Sequence, residues 1–183
     1  MQSIILRSAA SVLSLILVLS ALASCASSDE QQSSVEPPPN IQAWMDRLTI
    51  EHEYDPETGF IVAREVITLP DVLTDAPPLP EAVERSKRDN RPLIVFATAD
   101  RCAPCQQYKK DALTNALVII RLTDGPALAT HIEVDREGES ADRYLGGRAI
   151  PMTYLLRDGE VVATLRGQRS ANDLLQWMNV NEL

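Results

Sequence analysis

Hydrophobic and polar positions divide the chain into a leading apolar run, a polar stretch and a longer region of short patterned segments. The apolar run covers residues 9–22, and the polar stretch, rich in Ser, Gln and Glu, ends in three prolines at 37–39. Apolar residues at helical spacing over 41–48 then predict a short helix. Two largely β-branched segments on either side of residues 55–59 predict a β-hairpin between positions 49 and 68.

The pattern changes again in the second half of the chain. Residues 80–89 have proline in the first turn and acids ahead of bases, which predicts a helix. The run 93–97 is almost wholly apolar and predicts a strand buried on both faces of a sheet. A polar turn follows, and good helix formers after Cys105 predict a helix that begins at Cys102, with Pro104 in its first turn.

Length, charge and cysteine count narrow the possible functions. The 183 residues allow one ordinary domain with appendages. A net charge of −9, without a basic stripe, argues against nucleic acid as a partner. Cys25 stands alone, while Cys102 and Cys105 are separated by two residues. This pair indicates redox or metal chemistry rather than a disulfide scaffold.

The N-terminus has the pattern of an export signal. Arg7 is followed by the apolar run and then by small residues. Residues 22–25 resemble the lipobox of bacterial lipoproteins, which implies cleavage after residue 24 and a lipid anchor on Cys25. We expect a signal peptide at 1–24, a tether at 25–39, and a domain that faces the periplasm, with the outer membrane slightly preferred. A chance cysteine after an ordinary signal, or an uncleaved anchor helix, are the alternatives.

The placement of the cysteine pair has chemical consequences. Unpaired N–H groups and the positive end of a helix favour a thiolate at Cys102, and Arg101 adds positive charge. We expect Cys102 to attack a substrate disulfide, and the more buried Cys105 to resolve the mixed disulfide.

The segment 92–105 resembles the active-site strand and turn of the thioredoxin family. Further segments resemble its next buried strand (131–135), its cis-proline loop (147–152), its closing hairpin (153–165) and its final helix, with Ser170 as cap. The resemblance implies a thioredoxin-like α/β domain at 72–183, with a central mixed β-sheet flanked by helices. The predicted helix and β-hairpin form an N-terminal extension at 40–71. The resemblance also implies a cis Ile150–Pro151 bond that pairs with a substrate strand. Predicted substrate contacts are Ile150, Pro151, Arg101, Ala103 and Pro104.

Three positions depart from the family pattern. The family usually has Trp at the position of Arg101, often a buried Asp at Phe96, and often a Lys at His131. The acidic residue that serves the resolving thiol in the family is therefore absent here. His131 either replaces it as the base or is a packed side chain. The Ala103-Pro104 dipeptide resembles that of reducing thioredoxins and favours the reducing direction.

Two other functions remain open. A metal-binding module would use the two thiols as soft ligands for Cu(I) or Zn, although the spacing of His52 and His131 does not complete a site. A non-catalytic thioredoxin-like scaffold would only bind partners. For the oxidoreductase, the resemblance implies no cofactor and no metal. Its partners would be protein disulfide substrates, an envelope redox partner protein, and the membrane through Cys25.

Overall fold

A computed structural model describes residues 35–183. The predicted signal peptide at 1–24, the lipidation site Cys25 and most of the 25–39 tether lie outside these residues. No helix between residues 35 and 183 is both long and apolar enough to cross a membrane.

The extension forms a short helix, α1 (Pro39–Met45), and a two-stranded hairpin of β1 (His52–Asp55) and β2 (Phe60–Ala63). The turn uses Gly59 at a φ of 73°. The hairpin prediction is confirmed, but both strands are shorter than the sequence indicates. β2 ends at Ala63, although the Arg64 N–H still donates to the Glu51 carbonyl at 2.8 Å, and the Ile67 N–H donates to the side chain of Gln106 rather than to a strand.

Four further strands form the main sheet. They are β3 (Leu93–Thr98), β4 (Leu128–Glu133), β5 (Met152–Arg157) and β6 (Glu160–Arg166). Their order across the sheet is β4-β3-β5-β6. β3 runs parallel to β4 and antiparallel to β5, and β5 pairs antiparallel with β6. Helices cover both faces, so that every residue of β3 is buried. This mixed α/β architecture confirms the predicted fold class.

Helices alternate with these strands. They are α2 (Asp71–Thr74), α3 (Leu79–Asp89), α4 (Ala103–Tyr108) with a π-helical turn at Lys109–Leu113, α5 (Ala116–Asp124), α6 (Val134–Leu145) and α7 (Ala171–Val180). Ser170 caps α7 in a reciprocal capping box with Asp173, which confirms the predicted cap.

Two apolar clusters fix the sheet between its helices. One joins Phe96 to Tyr108 and to residues of α5 and α7. The other joins Val95 and Ala97 to α3 and α6. Alternate residues of β3 therefore contribute to opposite clusters, as expected for a central strand. The end of β3, where the cysteine motif follows, is held from both sides.

One predicted strand has the wrong bounds. The sequence predicts a strand at 131–135, yet β4 begins at Leu128 and ends at Glu133. Val134 and Asp135 form the first turn of α6 instead. The apolar alternation runs on through Val134 because this residue is buried as a helical residue, 4% exposed. Alternation alone does not mark the end of such a strand.

Candidate active site

The cysteine motif lies where β3 gives way to α4. Cys102 is the N-cap of α4, with extended backbone, and Pro104 lies in the first turn. Cys102 and Cys105 are joined by a disulfide, and their Cα atoms are 5.1 Å apart. The prediction that a helix begins at Cys102, with Cys105 one turn inside, is confirmed.

The two sulfurs differ in access and in polar contacts. Cys105 is 0% exposed, whereas Cys102 is partly exposed. The backbone N–H of Cys105 donates to Cys102 Sγ at 3.2 Å. A hydrogen bond from the first turn of a helix stabilises negative charge on its acceptor. The geometry therefore favours a thiolate at Cys102 when the pair is reduced.

The loop before β5 lies on the same side of the domain as Cys102. Its Ile150–Pro151 peptide bond is cis, the geometry that the family resemblance implies. Ile150 and Cys102 both pack against the apolar cluster of α3 and α6. Pro151 is buried and its carbonyl accepts from the Gly167 N–H at 2.9 Å, so Ile150 is the more accessible of the two.

The extension covers Ala103, the first of the two residues between the cysteines. Ala103 is 0% exposed and forms a buried cluster with Leu48, Ile50 and Ile61. Pro104 is also buried. Neither residue is on the surface in this conformation, and their contact with substrate stays a prediction. Arg101 and Cys102 are the residues of the motif that stay accessible.

A charged group lies beneath the turn that precedes Cys102. Arg136 donates to Asp100 Oδ2 at 2.8 Å, and the Lys109 Nζ lies 3.4 Å from Oδ1. The Arg136 contact holds the pKa of Asp100 below its usual value. The side chain of Lys109 is only 3% exposed, although it lies in the helical segment after the motif. The negative charge of Asp100 is therefore neutralised by two cations and does not offset the positive charge of Arg101.

Glu133 is a second, more deeply buried carboxyl in this group. Its Oε1 accepts from the backbone N–H of Asp100 at 3.0 Å, while its Oε2 is buried without a hydrogen-bond partner. Burial, and then the charge of Asp100, raise the pKa of Glu133 to about 7. A carboxyl in such a site prefers its neutral form.

His131 is a packed side chain. Its Nε2 shares a hydrogen bond with Thr98 Oγ1 at 2.7 Å. Burial, followed by the nearby charge of Lys109, lowers the pKa of His131 to about 4. Of the two predicted alternatives for His131, the structure favours the packed residue over the base.

Sequence reasoning missed four polar residues around the motif. Gln106 and Gln107 indicate only a helix in the sequence, but both are buried and bind other segments. Glu133 and Lys109 carry no visible signal either.

A cavity of about 740 Å³ lies away from the cysteine motif. It opens beside β4 and α2, and α4 and the Ile150–Pro151 loop take no part in its lining. Across residues 35–183 no group of three or more His, Cys, Asp and Glu side chains is arranged to hold a metal ion.

Comparison with known proteins gives one family and a set of similar structures. Residues 75–157 match the family model described as thioredoxin-like. A thioredoxin from Thermus thermophilus is 26% identical, with 57% of this chain and 83% of that chain covered and a TM-score of 0.49. A thioredoxin from Nicotiana alata is 20% identical (57% and 84% covered, TM-score 0.46), and a mutant thioredoxin from Halobacterium salinarum is 23% identical (59% and 88% covered, TM-score 0.46). No curated protein matches the chain.

Proposed function

We propose that this thioredoxin-like domain is a thiol–disulfide oxidoreductase that reduces protein disulfides in a bacterial cell envelope. The observation that carries the proposal is the state of Cys102, which is partly exposed at the N-cap of α4 and accepts the Cys105 N–H on its sulfur. A reachable sulfur with a stabilised negative charge is the nucleophile that disulfide exchange requires.

The reaction follows from the positions of the two sulfurs. The Cys102 thiolate attacks one sulfur of a substrate disulfide, and the other substrate sulfur leaves as a thiolate that takes up a proton. Cys105 then loses its proton and attacks Cys102 Sγ, which breaks the mixed disulfide and releases the second substrate thiol. Two electrons pass from the dithiol to the substrate, and the Cys102–Cys105 disulfide is the oxidised product.

The reducing direction rests on the Ala103-Pro104 dipeptide, which resembles that of reducing thioredoxins. Each cycle leaves the pair oxidised, so a dithiol-bearing redox partner in the envelope must return two electrons. The substrate and this partner approach the same sulfur, because Cys105 is closed to solvent.

Redox titration and a turnover assay test the proposal. We expect the reduced protein to release two thiols from a linear peptide disulfide and to turn over with dithiothreitol as the electron donor. A potential for the pair below about −230 mV supports the reducing direction. A value close to about −120 mV, that of a strong oxidant, would reverse it. Cysteines that remain inert towards the peptide would leave a non-catalytic scaffold as the better description.

The envelope location rests on the lipobox-like residues 22–25, which precede the part of the chain that the structure describes. We expect the full-length protein to incorporate a labelled fatty acid when expressed in a bacterium. The variant Cys25→Ser should lose the label, whereas Cys102→Ser should keep it. A label that persists in Cys25→Ser would show that the anchor is elsewhere.

A further inference from the structure

We propose that residues 48–63 form a fixed wall of the redox site and thereby restrict it to disulfides carried on flexible, extended segments. The inference rests on the proposed function and names its substrate class. It starts from the hairpin of the extension, for which the sequence indicates no chemical role.

The wall is bonded directly to the motif. The Ala63 N–H donates to the carbonyl oxygen of Arg101 at 2.9 Å, and Val62 forms an antiparallel bridge with Cys102. One backbone edge of the segment 101–102 is therefore paired with a strand of the same chain. An incoming substrate strand cannot use that edge.

Buried amides hold the wall from beneath. Gln107 Oε1 accepts the N–H groups of Thr49 and Ile50, at 2.6 and 3.2 Å, and its Nε2 donates to the Thr49 hydroxyl at 3.0 Å. Just beyond the wall, Gln106 Oε1 accepts from the Ile67 N–H at 2.7 Å and fixes the chain that leaves it. Breaking these bonds would leave polar groups of α4 unpaired in a buried place, which is costly. These contacts describe an integral part of the domain rather than a movable lid.

The position of the wall determines which residues of the cysteine motif remain accessible. Ala103 lies beneath it, and Pro104 and Cys105 are buried, whereas Cys102 and Ile150 stay partly exposed against one apolar cluster, so the approach to Cys102 is left on the side of the Ile150 loop. A disulfide on an extended segment needs access to the Cys102 sulfur from one side only. When a disulfide recessed in a folded protein approaches Cys102, the protein surface around that disulfide would collide with the wall. Steric exclusion of this kind is a common source of specificity.

A selectivity assay tests the wall. Rates are measured in full-length protein with Cys25→Ser, for a linear peptide disulfide and for folded insulin. Ile61→Ala, which shortens a side chain packed on Ala103, should raise the ratio of the insulin rate to the peptide rate about tenfold. Val118→Ala is the matched control, since Val118 is also buried but belongs to the cluster of α5 and α7. Its ratio should not change.

Hydrogen exchange provides a measurement that does not depend on the wall variant folding. In the mixed disulfide of Cys105→Ser with the peptide, the amides of Thr49, Ile50, Ala63 and Ile67 should stay as protected as in the free protein. Loss of their protection would mean that the extension opens as a lid and would overturn the inference. A ratio unmoved by Ile61→Ala would also overturn it while the proposed function stands. Reaction with neither disulfide would remove both.

Discussion

Replacing Cys102 by serine is expected to lower the rate of disulfide exchange by about a thousandfold or more, because a hydroxyl is not ionised near neutral pH as a thiolate is. Replacing Cys105 should have a different effect. Cys102 still attacks in that variant, but nothing resolves the product, so the substrate stays attached to Cys102. The difference arises from access: one sulfur is partly exposed and the other is 0% exposed.

Mass spectrometry after incubation with a peptide disulfide checks both outcomes. Both variants carry Cys25→Ser, so that the remaining cysteine is the only thiol in the chain. Cys105→Ser should gain the mass of the attached peptide half, and Cys102→Ser should stay unmodified. A peptide adduct on Cys105 instead would show that the roles of the two sulfurs are reversed.

The second large effect is expected at Glu133. Its folded-state pKa of about 7 lies above the ordinary value of 4.5, so the folded protein holds a proton that the unfolded chain has released. The contribution of this group to the free energy of unfolding therefore falls as pH rises from 4.5 to 7. Glu133→Gln removes the free-energy cost of ionising this buried carboxyl. At a pH of about 7.5 the substitution should therefore stabilise the oxidised protein by about 2 kcal/mol relative to wild type.

Neighbouring groups shape the same pH profile. His131, with a folded pKa of about 4 against 6.5, adds stability as pH rises between those values and opposes Glu133. Asp100, whose pKa is lowered, adds stability that is lost only as pH falls below its ordinary value of 3.8. Arg136, which faces both carboxyls, has a pKa raised by its contact with Asp100 and stays charged throughout. The wild-type profile should thus be nearly flat between about pH 4.5 and 6.5.

Denaturant unfolding at several pH values isolates the contribution of Glu133. The difference between Glu133→Gln and wild type should grow from near zero at about pH 4.5 to its full size at about pH 7.5. Glu160→Gln is the control, because Glu160 is exposed on β6. A difference that is constant across this range would mean that Glu133 titrates normally and that the substitution acts only through packing.

The order of the second half of the domain was predictable because each signal there is local. The apolar run at 93–97 marks a strand covered on both faces, and Pro104 after Cys102 marks a helix start. The spacing of Ser170 and Asp173 is by itself the signature of a capping box. These patterns depend on backbone hydrogen bonds and side chains within a few residues of one another, so they can be recognised without knowing the fold.

The role of the extension was not predictable, for a physical reason. Nothing local distinguishes Ile61, which packs on Ala103, from Phe60, which is 69% exposed. Strand alternation predicts that neighbouring residues lie on opposite faces of the strand, but it does not predict which segment covers either face. The docking of the hairpin on α4 depends on residues some 40 positions apart, such as Ala63 and Arg101.

The sequence by itself determined the position of the cysteine pair in this protein: two cysteines one helical turn apart, at a strand-to-helix junction, with the first at the helix start. Only the tertiary structure decided the surroundings of those thiols, because burial and charge pairing are set by segments distant in sequence. It placed a carboxyl at Glu133 where it prefers to be neutral, packed His131 against Thr98, and covered Ala103 with the extension.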